Sequence, residues 1–187
     1  MIQAGSFGPI RTFAEYATDY QKEKYLKKLL NGEMVIGLGM TEPNAGSAVT
    51  DLTTKAVKDG KGYRVSGSKV FTSNSPDADI FLIYVRYHEG INGIGSVIMD
   101  TSMPGFSKGK SSKYTNGEEW CALYFDNVYI AEENVLLGPG GFKKQISGFN
   151  AERIGNSARS LALGEFAFNV AKEYALTREQ FGKKICE

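Results

Sequence analysis

Between Met34 and about Ile130 the apolar residues recur at every second position, and on either side of that block they recur every three or four. One element type cannot satisfy both periods, so the chain has to join a sheet to helices. Thr53-Thr54-Lys55-Ala56-Val57 and Tyr63-Arg64-Val65-Ser66 flank Asp59-Gly60-Lys61-Gly62, which predicts a β-hairpin. Further strands are expected over 68–72, 80–87, 96–100, 120–125 and 128–130, with turn clusters at 74–79 and at Met103-Pro104-Gly105. Helices do not alternate with these strands, which argues against a parallel α/β sheet. The expectation is an α+β chain with an antiparallel β-barrel or sandwich in its middle.

The flanks read as helix. Residues 1–10, with two glycines and a proline, look like loop. Phe13, Tyr16, Ala17 and Tyr20 then step at three and four, and Thr18 and Gln21 have capping-box spacing. A helix over about 19–30 follows, with Leu26, Leu29 and Leu30 on one face and Asn31-Gly32 as its stop. Its lysines read as a solvated face. After Gly138-Pro139-Gly140-Gly141 the helical period returns through Ile146, Phe149, Ile154, Ala158, Leu161, Phe166, Val170 and Tyr174. If continuous from Phe142, that helix is about 50 Å long at ~1.5 Å per residue, with Asn156, Ser157 and Gly164 as places for a kink. A solitary helix of that length needs packing partners. The expected domains are 1–33, the end of one helical domain; 34–141, a β domain; and 142–187, the start of a second helical domain. Both ends read as cut.

Composition narrows the chemistry. A net charge of +1 offers no field for nucleic acid or an acidic membrane, and no apolar run approaches the ~20 residues of a membrane span. Cys121 and Cys186 form no CxxC and read as free thiols of a reducing compartment, which makes the cytoplasm the expectation. His88 is the only histidine, so a multi-histidine metal site is excluded and no metal is expected. GxGxxG and GxxxxGK[ST] are both absent.

The β block opens on Met34-Val35-Ile36-Gly37-Leu38-Gly39-Met40, which feeds Thr41-Glu42-Pro43-Asn44-Ala45-Gly46-Ser47. Pro43 fixes its own φ and pushes Glu42 into an extended conformation, while Asn44 and Gly46 suit a tight turn. The loop offers backbone N–H groups and hydroxyls at a strand end. T-E-P-x-A-G-S resembles the flavin loop of the acyl-CoA dehydrogenase family. Four other strings resemble that family in order: 16–33; Ser66-Gly67-Ser68-Lys69-Val70-Phe71-Thr72-Ser73-Asn74; 123–138; and Tyr174 to Lys183 with Arg178, Gln180, Phe181 and Gly182.

That resemblance implies an antiparallel β domain between two helical-bundle domains, and FAD shared with a neighbouring subunit of a homotetramer or homodimer. It places Leu38, Met40, Thr41 and Ser47 along the isoalloxazine and the acyl thioester, and Phe71 and Ser73 on the flavin. Arg178, Gln180 and Phe181 would meet the FAD diphosphate or adenosine of the partner subunit. The implied reaction is α,β-dehydrogenation of an acyl-CoA substrate, a carboxylate taking the α-proton while the β-hydride goes to flavin N5, with electron-transfer flavoprotein as acceptor. In most of the family the base lies beyond Glu187. In the isovaleryl and long-chain types it is the Glu of an E-R pair, which Glu152-Arg153 resembles, 26 residues before Arg178. Arg153 would then line the acyl pocket and pair with an acid. Two departures stand out: Glu118-Glu119-Trp120-Cys121 replaces a Ser-x-Thr or Ser-x-Ser pair, and Ala48 replaces the aspartate after A-G-S. Two alternatives stay open, an acyl-CoA oxidase or flavin monooxygenase of the same fold and a non-catalytic acyl-CoA-binding or assembly module.

Overall fold

The computed structural model describes residues 7–187. The loop expected over 1–10 lies outside them as far as residue 6; from there helix α1, Phe7–Tyr16, already runs, with Pro9 in its first turn, where a missing N–H costs nothing. The second helical run follows the capping box: Thr18 Oγ1 accepts from the Gln21 N–H while Gln21 Oε1 accepts from the Thr18 N–H. It comprises α2 (Asp19–Gln21), a π-wound turn over Lys22–Leu26 and α3 (Lys27–Asn31), and ends at Gly32 with φ 74°.

The sheet has nine strands: β1 Ile36–Gly39, β2 Lys55–Asp59, β3 Gly62–Ser73, β4 Ile80–Arg86, β5 Ile94–Asp100, β6 Phe106–Lys108, β7 Ser112–Lys113, β8 Glu119–Ile130 and β9 Val135–Leu137. Its order is β6-β8-β3-β2-β4-β5-β9, with β1 on β4 and β7 on β8. Pairing is mostly antiparallel, as the alternation predicts, but β1 runs parallel to β4, from Ile36 opposite Ile80 to Gly39 opposite Ile83. The path ends at β6 and β9, so the barrel is not closed. Two pairs of expected strands are single ones: 63–66 and 68–72 join as β3, and 120–125 and 128–130 join as β8. Irregularities, not turns, divide them. The β3–β8 register shifts between Val65 and Gly67 and again between Lys69 and Thr72.

β4 organises the packing. Phe81, Ile83 and Val85 meet Val65, Leu123, Phe125 and Val128 on one face, and Ile80 and Leu82 meet Phe13, Tyr25 and Leu29 of the helices on the other. That explains why residues 80–85, as far as the last one before Arg86, read as an unbroken apolar run: they are covered on both sides. Gly37 and Gly39 answer the same crowding. A Cβ on Gly37 would sit 2.5 Å from Phe81 Cε1, and one on Gly39 would sit 2.5 Å from Ile83 Cδ1 and 3.2 Å from Lys69 Cγ. The short Gly-Leu-Gly therefore makes room for the next strand. Gly67 combines a close approach with a left-handed backbone: φ is 148° and a virtual Cβ would sit 2.6 Å from Thr54 Oγ1 and 2.8 Å from Thr54 Cα. Gly67→Ala is expected to lower stability by roughly 1–3 kcal/mol, read as a shift of the urea midpoint at unchanged slope.

After Gly141 come α4, Phe142–Ser147, and α5, Phe149–Thr177. The helix breaks at Gly148 and then runs without a further break through Asn156, Ser157 and Gly164, so that α5 spans ~44 Å. The chain divides into two compact units, 1–149 and 150–187. In the second unit α5 leaves Ile154, Leu161, Leu163, Phe166 and Phe168 each at least 66% exposed. A hairpin follows, β10 (Glu179–Gln180) with β11 (Lys183–Lys184), whose turn residues Phe181 and Gly182 have φ of 52° and 77°. No helix among the described residues is long and apolar enough to cross a membrane.

Candidate functional site

The loop after β1 closes on itself. Glu42 and Ala45 exchange both backbone hydrogen bonds at 3.1 Å, with Pro43 and Asn44 at the tip. Its geometry comes from the Glu42 side chain, which turns inward to 5% exposure. One carboxylate oxygen accepts from the Thr53 N–H (2.6 Å) and hydroxyl (2.7 Å). The other accepts from the Thr54 N–H (2.9 Å), the Thr54 hydroxyl (2.6 Å) and Lys69 Nζ (2.8 Å). Lys69, itself fully buried on β3, also donates to the Met40 carbonyl at 3.2 Å. Beside it the Val70 N–H donates to the Thr41 carbonyl at 2.9 Å. Two motif strings, 38–47 and 66–74, are thereby locked edge to edge.

Burial alone would raise the Glu42 pKa, but the Lys69 charge and the hydrogen bonds outweigh it and bring it down to about 2. Burial lowers Lys69 to about 8, against the opposing pull of Glu42. The folded-state pKa of Glu42 lies below its unfolded value, so its contribution is complete above the ordinary carboxylate value of 4.5 and is lost as pH falls toward about 2. Urea unfolding at pH 6 and at pH 3 should show this loss, and Glu42→Gln should flatten that part of the pH profile.

Next to this lock β3 bulges. Three steps from Lys69 to Thr72 face two from Leu123 to Cys121, and Phe71 adopts φ 55°. The extra residue turns Phe71 outward to 55% exposure, while Lys69 and Thr72 both stay inside. Its ring lies against Trp120, centroids 4.6 Å apart, and its carbonyl accepts from the Tyr114 hydroxyl at 3.1 Å. Leu38, Met40 and Thr41 are half-buried, and Ser47 and Ser73 are exposed. An exposed aromatic ring and a serine on β3, beside a loop that carries Thr41 and Ser47, suit a planar, polar heteroaromatic ligand.

The remaining predicted residues lie in the second unit. Glu152 sits in the first turn of α5, half-buried, and burial raises its carboxyl pKa while Arg159 and Arg153 pull it down less strongly. Arg153 pairs with the Asn150 side-chain oxygen at 2.9 Å and not with an acid as expected; Asn150, one helical turn back, is the acceptor in reach. Arg178, Gln180 and Phe181 stand past the other end of α5, all exposed. Glu152 and Arg178 are ~39 Å apart along the helix direction, so one copy of this unit does not bring them to one point. His88 is exposed in its loop.

Sequence reasoning assigned no role to four participants, Glu42, Lys69, Tyr114 and Trp120. The Glu42–Lys69 pair was legible in part, because Lys69 is in phase with Val65, an inward position of β3. Trp120 was visible only as part of the departure at 118–121, and Tyr114 carried no signal, since their role depends on the bulge at Phe71.

The acyl-CoA dehydrogenase middle domain matches residues 37–128, and the acyl-CoA dehydrogenase C-terminal domain matches 139–187. A mitochondrial isovaleryl-CoA dehydrogenase of Oryza sativa subsp. japonica is 36% identical over 183 residues, 95% of this chain and 45% of that protein. The solved butyryl-CoA dehydrogenase of Megasphaera elsdenii is similar at TM-score 0.90 and 32% identity, over 98% of this chain and 50% of that one. A glutaryl-CoA dehydrogenase from Mycobacterium smegmatis, solved in complex with FADH2, gives TM-score 0.87 at 25% identity, over 97% and 47%. The chain spans about half the length of these relatives. Two family domains in the right order, on a sheet that carries the flavin-loop strings side by side, make this chain a member of the acyl-CoA dehydrogenase family.

Proposed function

We propose that the whole protein dehydrogenates an acyl-CoA thioester between its α and β carbons, with FAD as cofactor. The observation that carries this reading is the lock between 38–47 and 66–74, which leaves the Phe71 ring and the Thr41 and Ser73 hydroxyls on one edge. These residues, with Leu38, Met40 and Ser47, would hold the isoalloxazine and the thioester. FAD, when bound, supplies the acceptor for the substrate's hydride. Glu152 would take the α-proton; the upward push of burial on its carboxyl favours a base that works nearer neutrality. Arg153 would line the acyl pocket. The charge of Arg178, with Gln180 and Phe181, suits the FAD diphosphate or adenosine of a partner subunit, and the length of α5 between Glu152 and Arg178 supports assigning them to different active sites.

A homotetramer or homodimer, electron-transfer flavoprotein as acceptor and a cytoplasmic setting complete the proposal. Covering of α5 by further helices would bury the apolar residues it exposes. The test is to incubate the full-length protein with saturated acyl-CoAs and an artificial electron acceptor. A thioester lighter by two hydrogens is the expected product, and its absence with every acyl class tried contradicts the reading.

A further inference from the structure

The two groups assigned to the flavin on β3, the Phe71 ring and the Ser73 hydroxyl, are gripped by one hairpin that the dehydrogenation chemistry leaves unused. β7 and β8 pair Ser112 with Trp120 and Lys113 with Glu119, and Lys113 Nζ meets the Glu119 carboxylate at 3.0 Å. The tip closes on itself: the Tyr114 N–H donates to the Glu118 carbonyl at 2.8 Å, and the Gly117 N–H to the Tyr114 carbonyl at 3.0 Å. From this braced platform the Tyr114 hydroxyl donates to the Phe71 carbonyl at 3.1 Å. The Trp120 ring packs on Phe71 at 4.6 Å and lies 6.1 Å from the Tyr114 ring, and Trp120 is the ladder partner of Ser73. Phe71 at φ 55° is a conformation that a bulky residue keeps only when its surroundings impose it.

We propose that Tyr114 and Trp120 are positioning residues, a clamp that presets the Phe71 ring and the outward bulge of β3 on which the cofactor would rest. This rests on the reading that Phe71 and Ser73 face the flavin. It accounts for the departure at 118–120, where Trp120 stands within a segment that carries a Ser-x-Thr or Ser-x-Ser pair in the resembling family.

The test uses full-length protein loaded with FAD and measures the FAD dissociation constant and the flavin midpoint potential. Tyr114→Phe should weaken FAD binding roughly fivefold to tenfold. It should also move the flavin midpoint potential by about 30 mV, a tenfold change for two electrons, because the Phe71 ring is no longer held in one place against the flavin. Trp120→Phe, which keeps a ring against Phe71, should stay within about twofold of wild type, whereas Trp120→Ala should not. A Tyr114→Phe protein with the wild-type potential, while Phe71→Ala still loses FAD, overturns the clamp and leaves the flavin reading standing. Full-length protein that takes up no FAD overturns both.

Discussion

Replacing Lys69 by Met lowers the stability of the protein by about 3–5 kcal/mol, and adding Glu42→Gln restores part of the loss. The pair is buried on both sides, Lys69 completely and Glu42 to 5% exposure. Its net worth is nonetheless small. The Lys69 charge and the hydrogen bonds hold Glu42 down to about 2, which favours its charged form, while burial brings Lys69 down to about 8, which disfavours its own. Such opposition is expected for an ion pair taken out of water. Removing Lys69 alone strands a carboxylate that still faces four hydrogen-bond donors but no positive charge. The neutral amide introduced by Glu42→Gln carries no stranded charge, and its one oxygen can accept from either the Thr53 or the Thr54 pair, so the double variant recovers in part. What it does not recover is the hydrogen bond from Nζ to the Met40 carbonyl. FAD uptake by the double variant should therefore remain weaker than wild type although its urea midpoint moves back toward it. If the double variant binds FAD normally, the pair is structural filler and not the lock of the flavin edge.

Glu152→Gln slows reduction of the bound flavin by acyl-CoA by about 10²- to 10⁴-fold, with FAD content unchanged. A glutamine fills the same space and cannot take a proton. Burial raises the Glu152 carboxyl above 4.5, so the reduction rate of wild type should rise with pH through a midpoint above that value, as the base ionises. The variant should lose this rising limb. A variant as fast as wild type would move the base to another residue of the full-length chain and leave Glu152 as one more helix carboxylate.

Periodicity was enough for most of the architecture, because β3 and β8 largely alternate and the long helix steps at three and four. It says less about elements whose burial departs from one covered face. β4 is apolar from Ile80 to Val85 since both its faces are covered, and β1 is a parallel strand with glycines where its neighbours crowd it. The open ends of the sheet at β6 and β9 are equally invisible to a pattern of strands, since closure depends on which edges meet. At the site, motif strings named Phe71 and Ser73 but not the means of presenting them. A single extra residue at the bulge sets which side chains turn outward, and nothing in Val70-Phe71-Thr72 announces it. Glu42 looked like a loop carboxylate because the four donors from Thr53 and Thr54 come together only when β2 is in place.

The most direct measurement is an anaerobic titration of the FAD-loaded full-length protein with short, branched and long saturated acyl-CoAs, following the flavin absorbance. Loss of the oxidised flavin band with at least one acyl class is the predicted result, and the class that bleaches it fastest names the substrate. A protein that holds FAD and stays oxidised with every thioester would contradict the dehydrogenase account.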